Sequence, residues 1–359
     1  MKVLQLGKFY PILGGVEKVM WELTDGLGRA GVDCDMLCAG RQQQVISINE
    51  HARCICVKAF FKVAATMISP AMVVYLRKHC SEYDVIHIHH PDPMAAIALR
   101  LSGYKGNVVL HWHSDIIKQR FLLFFYLSLQ SWIVRRSKLI LGTSPVYVRE
   151  SPYLQKVQDK LTYLPIGVDP VPEHPSDQSE YKTVLSLGRL VGYKGYEYLV
   201  EAAKYLPDDY RVVIAGEGPL KGQLQRQIEA EGLEAKVSLL GRIPQEKIPE
   251  LYASCSVFCL SSIWKTEAFG IVQIEAMSCG KPVVATRIPG SGVSWVNEHG
   301  FSGLNVEPCN AKMLAEAVMQ ITADADTYHS FCENARKRYK ALFTKESMIK
   351  KCLEIYDKL

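Results

Sequence analysis

Short apolar runs alternate with helical patterns along most of this chain, and this alternation restricts the possible fold more than any other feature. Val3–Leu6 is a predicted first strand, and the pattern over Val16–Ala30 predicts a helix directly after it. A second series of the same kind begins at Thr183–Leu187. Strands that alternate with helices predict a parallel sheet covered on both faces. The other predicted strands are Asp33–Cys38, Val85–Ile88, Val108–His111, Leu139–Leu141, Arg211–Ile214, Val237–Leu240, Val257–Leu260 and Val283–Ala285.

The two series indicate two domains. A chain of 359 residues is long for one hydrophobic core and suits two. The stretch 165–178 is rich in Pro, Asp, Ser and Gly, which is typical of a linker. We therefore predict Rossmann-like α/β domains over residues 1–165 and 181–343, joined by a linker over 166–180. Two such domains that face a cleft would bind ligand at the carboxyl ends of both sheets.

Charge and cysteine content restrict partners and compartment. The net charge of +5 suits an anionic ligand or an acidic lipid surface, but it is too small to indicate nucleic acid. Eleven cysteines, several within apolar runs, are predicted to be mostly buried thiols of a reducing compartment. The first residues do not form a secretory signal, and no stretch reaches the ~18 apolar residues that span a bilayer. We expect a cytoplasmic protein, with peripheral contact to the inner face of the plasma membrane as an open alternative.

Two glutamates eight positions apart have different predicted surroundings. Glu267 and Phe269 lie in a predicted loop, whereas Glu275 lies in a predicted helix that stops at Gly280. A loop carboxylate, a helix N-terminus and a helix carboxylate can line one pocket, and the helix N-terminus favours an anion such as phosphate. The alternative interpretation is a surface helix with two solvated glutamates.

This segment resembles the E-x7-E signature of the family four retaining glycosyltransferases, which have the GT-B fold. The likeness includes the Phe-Gly pair after the first glutamate and the Glu-Ala-Met…Gly-Lys-Pro-Val run that begins at the second. It implies that Glu267 lies beside the donor sugar and that Glu275 binds the nucleotide ribose. It also implies donor contacts for the residues that follow the first glutamate, namely Ala268, Phe269, Gly270, Ile271 and Val272.

The resemblance implies an α/β fold of two Rossmann-like parallel-sheet domains facing a cleft, each with its own task. Residues 1–165 would bind the acceptor and residues 181–343 the nucleotide sugar. A helix over 344–359 would cross back to the first domain. One loop departs from the family pattern, because Ile288–Val293 stands where many members have Gly-Gly-x-x-Glu. The contacts of that loop do not carry over.

An arginine and a lysine follow the first strand of the second series. Arg189 offers a planar fork of donors and Lys194 a point charge, and both suit phosphate oxygens. The alternative is an ordinary charged loop. The spacing resembles the G-R-x…K-G signature of the family, which implies that both residues hold the donor diphosphate. Their charges would stabilise the leaving nucleoside diphosphate without a metal.

Three glycine-containing turns complete the predicted donor contacts. Gly216 follows a strand, and its turn resembles the G-x-G-P loop of the family. Arg242 and Ile243 occupy a loop that resembles the one touching the nucleobase. Gly14 and Gly15 join the first strand to the first helix, where paired glycines allow close backbone approach to a ligand. The family places that loop against the diphosphate and the acceptor, although a plain turn would also fit.

Histidines gather at the ends of two neighbouring predicted strands. Five of them share this position: His87, His89, His90, His111 and His113. A single strand-end histidine is usually structural, and zinc is disfavoured because no acidic or cysteine partner has fitting spacing. The resemblance implies that His113 is the active-site histidine near the transferred sugar, with His111 as the second choice. Asp115 would orient this histidine or contact the acceptor together with His111.

The segment 116–138 combines aromatic and basic residues and contains no acidic residue. One interpretation is a buried helix with basic ends. The other is an interfacial segment that docks on anionic lipid and receives a lipid-linked acceptor, with Phe60–Lys62 adding to the same surface. The sequence favours neither.

The leading interpretation is a retaining, metal-independent hexosyltransferase that needs no cofactor. His113, Glu267, Arg189 and Lys194 would carry the reaction. The donor is a nucleotide sugar, with GDP-mannose as the first choice and UDP-linked glucose, galactose or N-acetylhexosamine as alternatives. The acceptor is a lipid-linked or polysaccharide hydroxyl in surface-glycan synthesis. A nucleotide-sugar 2-epimerase and a non-catalytic sugar-nucleotide binding protein remain alternatives, whereas an oxidoreductase is disfavoured because the first turn lacks G-x-G-x-x-G.

Overall fold

A computed structural model describes residues 1–12, 14–63, 66–116, 120–173 and 182–359, with no side-chain description for residue 63 or residues 120–125. Part of the predicted linker, residues 174–180, lies outside this range. The chain forms two compact units. The N-terminal unit comprises Met1–Ile166 together with Lys345–Leu359, and the C-terminal unit comprises Gly167–Thr344.

The N-terminal unit is built on an eight-stranded sheet with the order β10-β9-β8-β7-β1-β2-β4-β3. Neighbouring strands are parallel except β3 and β4, and β5 and β6 form a separate antiparallel hairpin. The strands are β1 (Lys2–Phe9), β2 (Asp33–Gly40), β3 (Gln44–Asn49), β4 (Ala52–Lys58), β5 (Phe61–Val63), β6 (Thr66–Ile68), β7 (Val85–His90), β8 (Asn107–Trp112), β9 (Leu139–Gly142) and β10 (Leu161–Tyr163). The strand order reverses beside β1, so the loops after β1 and β7 meet at a topological switch point.

Five helices of this unit follow the strands in chain order. They are α1 (Gly15–Arg29), α2 (Pro70–His79), α3 (Pro93–Ser102), α4 (Arg120–Arg136) and α5 (Pro145–Arg149). Met20 of α1 packs against Met36, Cys38, Cys54 and Cys56 of the sheet. Eight of the eleven cysteines are buried, which confirms the prediction that most of them are buried thiols.

The C-terminal unit contains a six-stranded parallel sheet with the order β13-β12-β11-β14-β15-β16. Its strands are β11 (Lys182–Leu187), β12 (Tyr210–Ala215), β13 (Val237–Gly241), β14 (Val257–Leu260), β15 (Val283–Thr286) and β16 (Gly303–Val306). Its helices are α6 (Tyr196–Ala202), α7 (Lys221–Ala230), α8 (Ile248–Ser254), α9 (Ile271–Ser278), α10 (Val293–Val296), α11 (Ala311–Ile321) and α12 (Ala325–Leu342). The order is that of a doubly wound α/β sheet, with its switch point between β11 and β14.

The last helix, α13 (Lys345–Tyr356), belongs to the N-terminal unit although it follows the C-terminal unit in sequence. Lys345 forms an ion pair with Glu22 of α1, and Ile349 covers Gly26, where a β-carbon would collide with it. Gly26 is therefore required for the close packing of α1 and α13.

The predicted α/β class with parallel sheets is confirmed in both units. Among the described helices, none has both the length and the apolar character that crossing a bilayer requires.

Candidate active site

The loops that carry the predicted phosphate and sugar contacts leave the sheet on both sides of the C-terminal switch point. Arg189 and Lys194 follow β11, and Glu267 follows the adjacent strand β14. Ligands of open α/β sheets bind in the crevice at the carboxyl ends of strands at such a point. The position of these loops therefore supports a ligand site within this unit.

Lys194 and Glu267 form an ion pair with a distance of 2.6 Å between Nζ and Oε2. The two side chains are only 10% and 12% exposed. The Ser262 hydroxyl donates a second hydrogen bond to Oε2 of Glu267, at 3.0 Å. Removing one partner of a pair this shielded would leave the other charge without compensation. The sequence predicted both residues at the site but did not predict that they pair.

The loop Ile288–Val293, which departs from the family pattern, supports the backbone around Glu267. The Ser291 hydroxyl donates to the carbonyl oxygen of Glu267, and the Gly292 amide donates to that of Ala268 at 2.9 Å. The departure in sequence thus lies next to the predicted sugar contact. It fixes the course of the backbone at Glu267 and Ala268.

Helix α9 begins after a glycine in the left-handed backbone region, which side-chain-bearing residues rarely adopt. Gly270 has φ of 75°, and a β-carbon there would lie 2.7 Å from both Leu260 and Gln273. The preceding Phe269 is buried, and its ring meets that of Phe343 edge-on with centroids 6.0 Å apart. The side chain of Phe269 therefore belongs to the core, so that only its backbone is placed to contact a donor.

Glu275, the predicted ribose contact, lies half-buried on α9. The buried Tyr252 hydroxyl donates to its Oε2 at 2.8 Å. Burial, together with this neighbouring carboxylate, raises the pKa of Tyr252 well above its ordinary value. Tyr252 is therefore a stable donor that holds Glu275, and no sequence pattern indicated this pair.

The three glycine turns after β11, β12 and β13 lie against one another. The Gly216 amide donates to the Gly241 carbonyl at 2.8 Å, and a β-carbon on Gly216 would collide with the backbone of Gly188. Arg189 and Arg242 follow two of these glycines, and both side chains are exposed. Within the described residues the Arg189 guanidinium has no ion-pair partner. It is thus available for an anionic ligand.

The other donor residues have intermediate exposure. Ile243 follows Arg242, while Ala268, Ile271 and Val272 flank Phe269 and Gly270 at the start of α9. The structure therefore gathers the predicted donor residues of this unit onto the carboxyl-end loops of one sheet.

In the N-terminal unit, Gly14 and Gly15 lie at the start of α1, where Gly14 is the residue before the first turn. The carboxylate of Glu17 lies over Gly14, and a β-carbon at that position would collide with it. Any anion bound at this helix end would therefore lie close to a carboxylate. The sequence prediction for this loop did not include Glu17.

The end of β1 carries a lysine whose contacts with the loop after β7 sequence reasoning missed. Lys8 has φ of 61°, its backbone amide donates to Oδ2 of Asp92, and its ammonium donates to the Pro91 carbonyl. Burial lowers the pKa of Lys8 and raises that of Asp92. Asp92 also caps α3 through the Ala95 amide, at 3.1 Å. An Asp before Pro93 is a helix-start signal, and it could have identified this residue.

The five strand-end histidines are all buried, and four of them form one stack. His111 lies between His87 and His113, with ring centroids 5.2 Å and 4.0 Å away. Neither ring nitrogen of His111 has a hydrogen-bond partner among the residues that the structure describes. Burial lowers the pKa of His111 to about 3, and it also lowers the pKa of the other four well below the ordinary value. The stack is therefore neutral at physiological pH.

His113, the first choice for the active-site histidine, is held by another histidine. Its Nε2 lies 2.9 Å from Nδ1 of His89. Asp115 instead accepts hydrogen bonds from Trp112 Nε1 at 2.9 Å and from the Ser151 hydroxyl at 2.8 Å. Nε2 of His113 therefore forms its hydrogen bond with His89 and not with Asp115. Asp115 instead anchors the loop that follows β8.

His87, His89 and His111 place one ring nitrogen each within 4.8 Å of the others, close enough to consider a metal. Three histidines on tetrahedral zinc bring their nitrogens to about 3.3 Å from one another, with lone pairs that converge. Here the rings of His87 and His89 are stacked with planes 8° apart, and both nitrogens of His89 already have partners. The arrangement fits a hydrogen-bonded stack better than a metal centre.

The second half of α4 covers the described part of the basic and aromatic segment 116–138. Tyr126 and Ile133 are buried, and Arg136 donates to the Tyr104 and Gly106 carbonyls. This half is therefore docked on the N-terminal unit. The aromatic run at 121–125 lies outside the residues whose side chains are described.

Comparisons with known proteins agree with this architecture. The chain matches the family described as Glycosyl transferases group 1 over residues 172–338 and the one described as Glycosyltransferase Family 4 over residues 13–171. O-antigen chain mannosyltransferase C of Escherichia coli is 30% identical over 373 residues, which cover 100% of this chain and 99% of the relative. D-rhamnosyltransferase WbpZ of Pseudomonas aeruginosa is 31% identical over 357 residues, which cover 96% and 92%.

Solved structures agree on the fold. HepE from Anabaena in complex with UDP has a TM-score of 0.78 at 20% identity, over 100% of both chains. Sucrose-phosphate synthase from Thermosynechococcus elongatus has a TM-score of 0.79 at 22% identity, over 100% of this chain and 99% of the other. The fold and the matches define a GT-B glycosyltransferase. The chain belongs to the family 4 glycosyltransferases, as the resemblance predicted.

Proposed function

We propose that this protein is a retaining hexosyltransferase that moves a manno-configured sugar from a nucleoside diphosphate to a hydroxyl of a surface-polysaccharide precursor. The observation that carries the proposal is the shielded Lys194–Glu267 pair next to the exposed Arg189, at the switch point of the C-terminal sheet. One carboxylate and two cations at such a point suit a sugar joined to a diphosphate.

In the proposed reaction, the bond between the anomeric carbon and the diphosphate oxygen breaks, and the acceptor oxygen bonds to the same carbon. The proton of the acceptor hydroxyl passes to the leaving phosphate, so the sugar keeps its configuration through attack on the front face. Arg189 and Lys194 stabilise the charge that develops on the phosphate, and no metal is needed for this role. Glu267 positions the sugar, Glu275 the ribose, and His113 supports the sugar.

The names of the two relatives suggest the configuration of the sugar. One is a mannosyltransferase and the other a D-rhamnosyltransferase, and each is about 30% identical to this chain over nearly its whole length. D-Rhamnose is 6-deoxymannose, so both sugars share the axial hydroxyl at carbon 2. We therefore propose GDP-mannose as the first donor to test, ahead of UDP-linked hexoses.

Thermal unfolding with candidate donors tests this proposal. Because a ligand that binds only the folded state adds about 2.7 kcal/mol at a hundred times its dissociation constant, saturating GDP-mannose should raise Tm by several degrees. UDP-glucose and UDP-N-acetylglucosamine should give smaller shifts. Arg189→Met should reduce the shift without lowering the Tm of the free protein, since Arg189 is exposed.

Turnover measurements on the same samples separate the alternative functions. A 2-epimerase would convert the donor without an acceptor, and a binding protein would be stabilised without any turnover. A larger shift with UDP-glucose than with GDP-mannose would contradict the proposed donor.

We also propose that the acceptor is presented at a membrane surface. Phe60 directly precedes β5 and Phe61 begins it, and these side chains are 73% and 59% exposed. Together with Arg41 and Lys62 they line an open cavity of about 500 Å³ in the N-terminal unit. Exposed aromatic rings next to cations are typical of segments that contact anionic lipid.

Charge reversal at this cavity should weaken binding to vesicles that contain phosphatidylglycerol. Each basic residue near an anionic surface contributes about 1 kcal/mol, so Arg41→Glu with Lys62→Glu should lower vesicle affinity at least tenfold in a sedimentation assay. Lys312→Glu with Lys340→Glu is the matched control, because both lysines are exposed in the C-terminal unit. Equal losses of vesicle affinity in the two double variants would contradict a lipid-binding surface at this cavity.

A further inference from the structure

A continuous chain of buried hydrogen bonds joins the last helix to His113. The Tyr356 hydroxyl lies 3.2 Å from Nε2 of Gln5 and 2.5 Å from Nδ1 of His87. The side-chain oxygen of Gln5 lies 2.7 Å from Nε2 of His89, and Nδ1 of His89 lies 2.9 Å from Nε2 of His113. All five side chains are at most 4% exposed, so these hydrogen bonds are shielded from bulk water.

The direction of each bond follows from the amide of Gln5. Its nitrogen donates to the Tyr356 hydroxyl, so its oxygen must accept a hydrogen bond from Nε2–H of His89. A neutral imidazole carries one N–H, which leaves Nδ1 of His89 as an acceptor. The proton between the two histidines therefore belongs to Nε2 of His113.

The other nitrogen of His113 is then an acceptor with no partner of its own. No hydrogen bond to Nδ1 of His113 occurs within the described part of the chain. The ring also cannot gain a charge at low cost, because the rings of His89 and His111 stack on it with centroids 5.1 Å and 4.0 Å away, and no carboxylate among the described residues pairs with it. A neutral ring with one free lone pair can accept a hydrogen bond from a hydroxyl group, but it cannot donate one at that position.

We propose that Gln5, His89 and Tyr356 are positioning residues that hold His113 as the Nε2–H tautomer, so that Nδ1 accepts a hydrogen bond from a hydroxyl of the substrate. This proposal rests on the proposed function for the identity of the substrate. The tautomer itself does not depend on that function. The ligand group that Nδ1 recognises is a sugar or acceptor hydroxyl, and a carbonyl or phosphate oxygen would not bind there.

In the competing arrangement, the donor and the acceptor are exchanged in the Gln5–His89 and His89–His113 hydrogen bonds. If the Gln5 amide were turned over, His89 would donate from Nδ1, and His113 would carry its proton on Nδ1 instead of Nε2. His113 would then select an acceptor oxygen. The two arrangements give His113 opposite preferences, which makes them distinguishable in solution.

Substitution of Gln5 tests which groups donate and which accept in the hydrogen bonds from Gln5 through His89 to His113. Gln5→Glu keeps an oxygen that accepts from His89 in either protonation state, whereas Gln5→Met keeps the length of the side chain and removes that oxygen. We expect Gln5→Glu to retain the Nε2–H tautomer of His113 and most of kcat. Gln5→Met should lose the single tautomer and about tenfold to a hundredfold of kcat, the range for removing the partner that orients a metal-bound histidine.

The readout is long-range proton–nitrogen NMR on isotopically labelled histidine, with His113 assigned by comparison with His113→Gln. A pyrrole-type Nε2 and a pyridine-type Nδ1 in the unsubstituted protein support the proposal. The opposite pattern overturns it, as does an unchanged His113 tautomer in folded Gln5→Met. If Gln5→Met does not fold, Tyr356→Phe replaces it, because loss of the hydroxyl frees the amide to turn over and should give both tautomers.

Failure of the proposed function would give different results from failure of the positioning role. In that case the Nε2–H tautomer and its loss in Gln5→Met would be observed, but no nucleotide sugar would be consumed by the unsubstituted protein. A kcat loss in Gln5→Met without any change of tautomer would show that Gln5 acts through packing alone, and it would overturn the positioning role.

Discussion

Replacing Lys194 by methionine should lower sugar transfer at saturating donor by about a hundredfold to a thousandfold, the range for removing one donor to developing negative charge. The ammonium is expected to act on the leaving phosphate, and it also neutralises Glu267 at 2.6 Å. The substitution therefore removes a catalytic charge and leaves a shielded carboxylate unpaired. The measurement is kcat with GDP-mannose and a glycan acceptor.

A double variant separates these two effects. Lys194→Met alone should also lower the free energy of unfolding, by about 3–5 kcal/mol for a buried pair that loses one partner. Lys194→Met with Glu267→Gln removes both charges, so it should recover most of that stability while transfer stays lost. Transfer within threefold of normal in either folded variant would contradict the proposed role of the lysine.

Acidification from pH 7.5 to 5.5 should strongly destabilise the N-terminal unit. Burial lowers the pKa of His87, His89, His90, His111 and His113 in the folded protein, whereas in the unfolded chain each returns to about 6.5. Below that value the unfolded chain binds more protons, so stability falls as pH falls. Each histidine should contribute about 1.4 kcal/mol over this interval and the five together about 7 kcal/mol, against typical total stabilities of about 5–15 kcal/mol.

His111→Phe is a matched control for this pH dependence. Phenylalanine keeps an aromatic ring in the stack, and it removes no hydrogen bond within the described ranges, where neither nitrogen of His111 has a partner. Urea denaturation at the two pH values should show a pH effect smaller by about 1.4 kcal/mol in the variant. An identical pH dependence in both proteins would mean that His111 binds protons in the folded protein as readily as in the unfolded chain.

The architecture could be predicted from local patterns. Each strand and helix has its own apolar run or helical periodicity, which can be recognised within a short stretch of sequence. The parallel sheets and the juxtaposition of strand-end histidines are both found, and His89 and His111 occupy directly paired positions of β7 and β8. The antiparallel edge strand Gln44–Asn49 was not predicted, nor was the hairpin at Phe61. Both depend on tertiary pairing more than on a distinctive local pattern.

The contacts that define the site were harder to predict because they join distant parts of the chain. Lys194 and Glu267 meet only because β11 and β14 are neighbours in the sheet, and periodicity does not encode strand order. Gln5 and Tyr356 are separated by 351 positions. A glutamine inside a buried strand was a sequence anomaly that could have marked Gln5, but nothing indicated its partner.

The return of α13 to the N-terminal unit sets an order of events during synthesis on the ribosome. Residues 1–166 emerge early, yet His87 obtains its hydroxyl partner only when Tyr356 has left the exit tunnel. The nascent N-terminal unit must therefore remain incomplete while the whole of Gly167–Thr344 is translated. The histidine network is completed late, after the unit that carries Lys194 and Glu267 has already been translated.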